Sequence, residues 1–136
     1  MPLNFNGADI GAEQDDDQGI HHVQLATPAG QENAARGFYE GLLGLNEVSK
    51  PSNLAARGGC WFENGGIRVH LGVKTNFAPA RNAHPGFVVD DLSNICATLE
   101  KAGFPIISDE PLEGYSRKYV SDPFGNRIEL MQIAMA

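Results

Sequence analysis

An internal repeat restricts the fold of this chain more than any other feature of its sequence. The order strand, helix, strand, strand, strand is indicated at about residues 19–73 and again at about residues 84–133. Repeats of about 60 residues can pair their sheets around a common cavity, whereas the shorter units of a solenoid stack in a row. We therefore predict an α+β domain of two βαβββ modules that share one cavity.

Hydrophobic periodicity and turn residues place the elements of both modules. In the first module we predict a helix over residues 31–43, ended by Gly44, and strands over residues 20–26, 45–50, 55–63 and 67–73. The Asn-Gly-Gly sequence at residues 64–66 is a hairpin signal. In the second module we predict a helix that Asp90 or Asp91 caps and Gly103 ends, with strands over residues 86–89, 104–108, 117–121 and 127–132.

The length of 136 residues fits one domain that can bury a core without disulfide bonds. Residues 1–18 are polar and contain an acidic run, so we predict a loosely ordered extension there and the folded domain over residues 19–136. Cys60 and Cys96 are the only cysteines, and two distant cysteines make neither a zinc motif nor a disulfide framework.

Charge and hydropathy narrow the partners that we expect for this chain. A net charge of -7 and the lack of a basic stripe argue against binding to nucleic acid or to an anionic membrane. No apolar run approaches the roughly 20 residues that span a bilayer, and the N-terminus has no signal-peptide pattern. We therefore expect a cytoplasmic protein whose partner is a small molecule.

Four residues that can bind a metal occupy matching positions in the two modules. His22 lies in the first strand of module one, and His84 opens the first strand of module two. His70 and Glu129 lie in the last strands, and the local sequences around them also match. Strand alternation turns both residues away from the helix side and toward the predicted cavity.

Two imidazoles and one carboxylate, from His22, His84 and Glu129, would form a facial triad with open positions. Such a site suits one divalent ion of iron, manganese, zinc or nickel. A single histidine on a strand is usually structural and a single glutamate usually faces water, so the matching register is what favours a metal. His21 points away from this side, and His70 stays open as a fourth ligand, a residue behind the ligands, or a substrate contact.

Further polar residues are candidates for substrate binding near the cavity, namely Arg81, Tyr115, Arg117, Lys118 and, in its third role, His70. Tyr119 lies near the cavity on the same strand as Arg117, without an assigned role. Arginine near a metal can hold a carboxylate or phosphonate in bidentate fashion, which points to an anionic substrate. The alternative for each of these residues is ordinary surface charge. The motifs of hydride transfer, phosphoryl transfer and serine hydrolysis are absent from the sequence.

Four stretches resemble motifs of the vicinal oxygen chelate superfamily: HVQL at 22–25, FYEGLLGL at 38–45, HPGFVVDD at 84–91 and DPFGNRIE at 122–129. This superfamily includes glyoxalase I, extradiol dioxygenases, and fosfomycin and bleomycin resistance proteins, and the resemblance spans residues 19–133. It implies curled mixed sheets around the cavity and metal ligands from the first and last strands of each module.

By this resemblance, His22, His84 and Glu129 take the places of the His, His, Glu ligands of fosfomycin resistance proteins and dioxygenases. In glyoxalase I, which has four protein ligands, the place of His70 belongs to an acidic or amide residue. Small members are often homodimers, and the sequence leaves open whether His22 and His84 meet within one chain or across two.

The resemblance implies a metal-dependent lyase, isomerase or dioxygenase that acts on a small oxygenated molecule by bidentate chelation to the metal. Glu129 would then be a catalytic residue by fixing the charge and geometry of the metal. A second hypothesis is a non-catalytic protein that binds a drug or antibiotic and confers resistance. A third is a dimerising or regulatory module with a vestigial site.

Overall fold

A computed structural model describes residues 18–134, and its strands form two mixed sheets, one from each half of the chain. The predicted α+β class with two mixed sheets is confirmed. The predicted N-terminal extension lies outside the described residues except for residue 18. Within residues 18–134, every helix is too short or too polar to cross a membrane.

The first sheet contains β1 (Val23–Thr27), β2 (Asn46–Val48), β3 (Cys60–Asn64) and β4 (Ile67–Val73), in the order β1-β4-β3-β2. β1 runs parallel to β4, and β3 is antiparallel to both β2 and β4. The hairpin signal at residues 64–66 is confirmed, because it joins β3 to β4. In this register His70 lies between Gln24 and Trp61 on one face of the sheet.

The second sheet contains β5 (Gly86–Val88), β6 (Tyr115–Ser121) and β7 (Arg127–Ile133), in the order β5-β7-β6. β7 is parallel to β5 and antiparallel to β6. The fourth strand predicted over residues 104–108 is wrong, since only Ile107 pairs with Tyr119 as an isolated bridge. Pro105 has no backbone N–H to donate, which explains why a longer ladder does not form here.

The first helix does not run regularly over residues 31–43 as predicted. It consists of α1 (Glu32–Ala35) followed by a π-helix (Arg36–Glu40), in which the N–H of Gly41 donates to the carbonyl oxygen of Arg36 at 3.0 Å. This wider turn places the consecutive residues Phe38 and Tyr39 in the core, with 1% and 0% of their surfaces exposed.

The strand predicted over residues 55–63 is also wrong at its start. A short helix, α2 (Ser52–Ala55), follows Pro51, and β3 begins only at Cys60. Gly59 has φ +82°, and a Cβ there would lie 2.0 Å from the carbonyl oxygen of Leu71. The chain therefore makes a close approach to β4 that only glycine permits, and the strand starts after it.

The second helix agrees with the sequence pattern. α3 (Leu92–Lys101) begins at the cap residue Asp91, whose Oδ1 accepts the N–H of Asn94 at 3.1 Å. Leu92 and Leu99 are buried on its inner side. Gly103 has φ +93° just beyond the last turn, which is the predicted helix stop.

The two halves pack against each other through one hydrophobic core and a buried polar contact. The Tyr39 hydroxyl donates to Asp122 Oδ2 at 2.7 Å, and Asn126 Nδ2 donates to the carbonyl oxygen of Ala26 at 2.9 Å. Asp122 and Asn126 belong to the turn between β6 and β7, so this turn is fixed directly to the first half.

Candidate metal and substrate site

One face of the second sheet is covered by α3, and the other face, here called the open face, carries the candidate site. Cross-strand pairing places Glu129 of β7 beside Tyr119 of β6, and Arg117 lies two residues away on the same side of β6. His84 lies two residues before β5 and reaches Glu129 from that edge. The predicted pairing of His84 with Glu129 is therefore present as a direct contact.

Glu129 is the centre of a hydrogen-bonded network, although its surface is only 8% exposed. Its Oε1 lies 3.0 Å from His84 Nε2, and its Oε2 accepts from Arg117 Nη1 at 3.2 Å. The same Arg117 nitrogen donates to the Tyr119 hydroxyl oxygen at 2.6 Å, and Nη2 donates to the carbonyl oxygen of Glu110 at 2.7 Å. The Glu129 carboxylate is thus held at both oxygens.

The charge state of Glu129 follows from these contacts. Burial by itself raises the pKa of a carboxyl group, but the hydrogen bonds from His84 and Arg117 outweigh burial and leave the pKa of Glu129 below its ordinary value. The hydrogen bond to Glu129 also raises the pKa of Arg117. Glu129 is therefore an anion near neutral pH, which is the form that a metal ligand requires.

The orientation of His84 is set from behind by the backbone. Its Nδ1 lies 2.8 Å from the carbonyl oxygen of Asn82, and a carbonyl can only accept, so Nδ1 carries a proton. Nε2 faces Glu129 and donates to it in this structure, so a metal ion at Nε2 would displace that proton. A ring whose other nitrogen donates to a carbonyl is the usual arrangement of a metal-ligating histidine.

The donor atoms of His84 and Glu129 have the spacing of neighbouring metal ligands. With metal–ligand bonds of about 2.0–2.2 Å, two donors at right angles stand about 3 Å apart. The observed separation of Nε2 and Oε1 is 3.0 Å. One nitrogen and one carboxylate oxygen are donors that suit a divalent ion of the transition series, and they would be two of the three ligands of a facial triad.

In the first half, the equivalent positions hold a stack of aromatic rings. His70 lies between Trp61 and His22, with ring centroids 3.9 Å and 3.8 Å away and interplanar angles of 3° and 16°. His21 lies beside His22, with their Nδ1 atoms 3.0 Å apart. Burial, followed by the charges of His22 and His21, lowers the pKa of His70, so its ring is neutral at neutral pH.

The structure does not bring all the predicted ligands together within one chain. Across residues 18–134 no three histidine, cysteine, aspartate or glutamate residues are placed to hold one metal ion. His84 and Glu129 form one group, and His22 and His70 form another on the first sheet. His22 is exposed and immediately precedes β1, which begins at Val23 and not at residue 20 as predicted.

The predicted substrate-binding residues are distributed over four places, one of which is the stack on the first sheet that contains His70. Arg117 lies in the Glu129 network, and Tyr115 is 39% exposed on the same open face. Lys118 is not near either, because it pairs with Leu130 on the core-facing side and donates to Ser108 Oγ at 2.7 Å. Arg81 lines a separate cavity, described below.

A cavity of about 250 Å³ lies at the end of the open face where β6 turns into β7. Besides Arg81 it is lined by Tyr119 and Arg127, together with Ile107, Val120, Ser121 and Gly125. The sequence prediction did not include Tyr119 and Arg127 among the substrate-binding residues. Alternation offered the signal for both, since Arg127 has the parity of Glu129 and Tyr119 has the parity of Arg117.

This α+β fold with paired mixed sheets defines a class of small proteins, and sequence comparison identifies it. The chain belongs to the glyoxalase/bleomycin resistance protein/dioxygenase superfamily, whose family model matches residues 19–130. This confirms the resemblance to the vicinal oxygen chelate superfamily. A search of curated proteins gave no match to the chain.

Solved structures agree with this membership. A protein assigned to the glyoxalase family from Bacillus anthracis is 46% identical, with a TM-score of 0.83, over 90% of this chain and 100% of that one. The antibiotic-binding protein TnmS3 from a Streptomyces species is 20% identical over 85% and 97%, with a TM-score of 0.64. The fosfomycin resistance protein FosX from Listeria monocytogenes is 15% identical over 88% and 94%, with a TM-score of 0.65. The last two likenesses concern the fold alone.

Proposed function

We propose that this chain is a divalent-metal-dependent enzyme, of lyase, isomerase or dioxygenase type, that acts on a small oxygenated molecule. The observation that carries the proposal is the pair of His84 Nε2 and Glu129 Oε1, 3.0 Å apart, with each side chain oriented by a second hydrogen bond. An ordinary surface ion pair has no need for a carboxylate this deeply buried. FosX, which has the same fold, is a fosfomycin resistance protein.

The third ligand in this proposal is His22, supplied by a second copy of the chain. Within residues 18–134 of one chain no third ligand joins His84 and Glu129. His22 is exposed at the edge of the first sheet and is available to a neighbour. A homodimer that covers the open face of one copy with the first sheet of the other would bring His22 to the pair.

The open face also has the apolar surface that such a dimer would bury. Val88 and Ile133 are 54% and 61% exposed, and Tyr115 is directly opposite Ile133. Met131 lies between them as the partner of Val88. These residues continue from the Glu129 network without a break, so a partner that covers them also closes the site. Exposed apolar patches of this kind mark interaction surfaces.

In the proposed reaction, a bound divalent ion supplies Lewis acidity toward two adjacent substrate oxygens. His84, Glu129 and His22 would hold it. Arg117 keeps the Glu129 carboxylate ionised and oriented. Because Tyr119 accepts a hydrogen bond from Arg117 at its oxygen, its own O–H points elsewhere and can donate to a substrate oxygen. The buried position of Tyr119 limits the access of water to that donor.

Metal analysis and subunit complementation test this proposal together. We expect about one ion per chain in the wild type and none in His22→Ala or Glu129→Ala. When the two variant chains are refolded as a mixture, mixed dimers regain one intact site, so about half of their chains should bind metal. Failure of the mixture to regain metal would contradict a site shared between chains, and full retention by both variants would contradict the site itself.

A second candidate is a protein that binds a small molecule without converting it. The stack of Trp61, His70 and His22 favours it, since the outer ring, that of His22, is exposed and offers a platform for a flat ligand. TnmS3, which shares the fold, is an antibiotic-binding protein. This candidate predicts ligand binding that survives chelator treatment and Glu129→Ala, with no product formed.

A further inference from the structure

The cavity of about 250 Å³ at the end of the β6–β7 hairpin is lined by two arginines, Arg81 and Arg127. Arg81 Nη2 lies beside Gly125 and the Arg127 guanidinium lies over Tyr119, and both of these residues also line the cavity. Both arginines are held there by the backbone. The N–H of Arg127 donates to the carbonyl oxygen of Ala80 at 2.8 Å, and the N–H of Ala80 donates to Asn126 Oδ1 at 3.0 Å. Both hydrogen bonds are made by the backbone of Ala80, the residue before Arg81, so Arg81 is held beside Arg127.

The positive charge in this cavity is weakly compensated. In the part of the chain that the structure describes, the ion pair of Arg127 is with Asp109, whose Oδ2 lies 3.7 Å from Arg127 Nη2 and whose side chain is 46% exposed. Among residues 18–134, no carboxylate lies within ion-pair distance of Arg81. In a chain of net charge -7, two neighbouring arginines that share one loose acidic contact are an unusual concentration of positive charge.

The Arg127 guanidinium is also fixed in orientation. Its central carbon lies 3.9 Å from the centre of the Tyr119 ring, which is the geometry of a cation–π contact. Such stacking leaves the N–H groups at the rim of the guanidinium plane free to bind oxygen atoms. Ser121 adds a hydroxyl donor, because it pairs with Arg127 across the strands and lines the same cavity.

The cavity lies close enough to the His84–Glu129 pair for one small molecule to contact both. Arg127 and Glu129 lie on the same face of β7 two residues apart, which is about 7 Å along a strand. Tyr119 spans this distance, since its ring contacts Arg127 on one side and the edge of the His84 ring, at 5.3 Å, on the other. A ligand of a few carbon atoms can therefore reach both places.

We propose that Arg81 and Arg127 form a binding site for a dianionic oxyanion, a phosphate or phosphonate group, and that this site holds the charged end of the substrate. That this site holds the charged end of the substrate rests on the proposed function, whereas the anion site itself does not. Two guanidinium groups match two negative charges, and their forked N–H groups match the oxygen atoms of such a group.

Calorimetric titration of the chelator-treated, full-length protein with inorganic phosphate tests the site. We expect one phosphate per chain and at least a tenfold loss of affinity in Arg81→Gln. Arg57→Gln, at an exposed arginine before β3 in the first half, removes the same charge away from the cavity and should change affinity less than twofold. Asp109→Asn should tighten binding, because it removes the competing carboxylate.

The outcomes separate the anion site from the metal site. Absence of phosphate binding, or equal losses in Arg81→Gln and Arg57→Gln, would overturn the anion site whatever the metal content. Phosphate binding in a protein that takes up no metal would support the anion site while overturning the proposed enzyme. Acetate, a single charge of similar chemistry, should bind more weakly than phosphate, and equal binding would contradict the match to a dianion.

Discussion

The two halves of this chain repeat the same strand pattern but present different chemistry at equivalent positions. His70 and Glu129 both lie in the last strand of their half, on the face turned away from the helix. In the first half His70 is stacked between Trp61 and His22 by its ring faces alone. In the second half Glu129 is held at both oxygens by charged or polar donors.

This difference indicates that the two halves are suited to bind different kinds of ligand. Stacked aromatic rings provide a polarisable surface, while a network around an anion provides charge with a fixed direction. A metal ion needs the second kind of surface, and a flat organic ligand gains from the first. A duplicated backbone can therefore place two different kinds of recognition on its two sheets.

The largest expected effect comes from removing the negative charge of Glu129 in the second half. In Glu129→Gln the amide can still accept from Arg117, so the fold should persist, but the negative charge that attracts a cation is lost. We expect metal affinity to fall by roughly 100-fold or more, since loss of a residue behind a ligand already costs about 10–100-fold. Titration with zinc or manganese against a competing chelator measures it.

The matched control for this change is Glu63→Gln in the first half. Glu63 lies on β3, makes a loose, exposed contact with Arg68 at 3.9 Å and acts on His70 through its charge alone, so the same loss of charge occurs away from the His84–Glu129 pair. Metal affinity should change less than twofold. Equal losses in the two variants would mean that net charge, and not the Glu129 network, attracts the metal.

A smaller effect is expected where the halves meet. Tyr39→Phe removes the buried hydrogen bond to Asp122, whose Oδ2 keeps a second donor in Asn126 Nδ2 at 3.0 Å. We expect unfolding free energy to fall by about 1 kcal/mol, the low end for a lost buried partner. Urea denaturation measures it, with Tyr115→Phe as the exposed control.

The difference in unfolding free energy between the wild type and Tyr39→Phe should decrease at high pH. Burial, followed by the charge of Asp122, raises the pKa of Tyr39 well above its ordinary value, so its folded state holds the proton more tightly than its unfolded state. The resulting stability is fully present below about pH 10, the ordinary tyrosine pKa, and decreases as the pH rises above it. The gap between wild type and Tyr39→Phe should narrow in that range, and a gap that widens would contradict this assignment.

Much of the fold was predictable because it depends on periodicity. The repeat predicted both sheets, and Asp91 and Gly103 marked the ends of α3. The π-helix was not predictable, because it arises when Phe38 and Tyr39 both enter the core, which is a property of packing. The strand predicted over residues 104–108 does not form, because Pro105 has no N–H to donate to a ladder and only Ile107 pairs.

The candidate site was predictable in position but only partly in contacts. The repeat placed His84 at the first strand and Glu129 in the last strand of the second module, and the structure joins them directly. Alternation along β6 already separates Lys118 from Arg117, so the position of Lys118 on the core-facing side followed from the sequence. The stacking of His22 on His70 did not follow, since it depends on side-chain rotamers that no sequence pattern specifies.

The smallest expected effect decides the role of His70, which the sequence left open. A metal ion lies near the plane of a ligating imidazole, because the nitrogen lone pair lies in that plane. The rings of His22 and His70 are nearly parallel, 16° apart, with centroids separated by 3.8 Å, so their planes do not meet at a shared ion. If His22 is the ligand, His70 supports it by stacking.

His70→Phe keeps a flat ring between Trp61 and His22 and should reduce metal affinity less than threefold, as measured by the same competition titration. His70→Ala, which removes the support, should cost more than His70→Phe, and a loss in His70→Phe as large as in Glu129→Gln would establish His70 as a ligand instead.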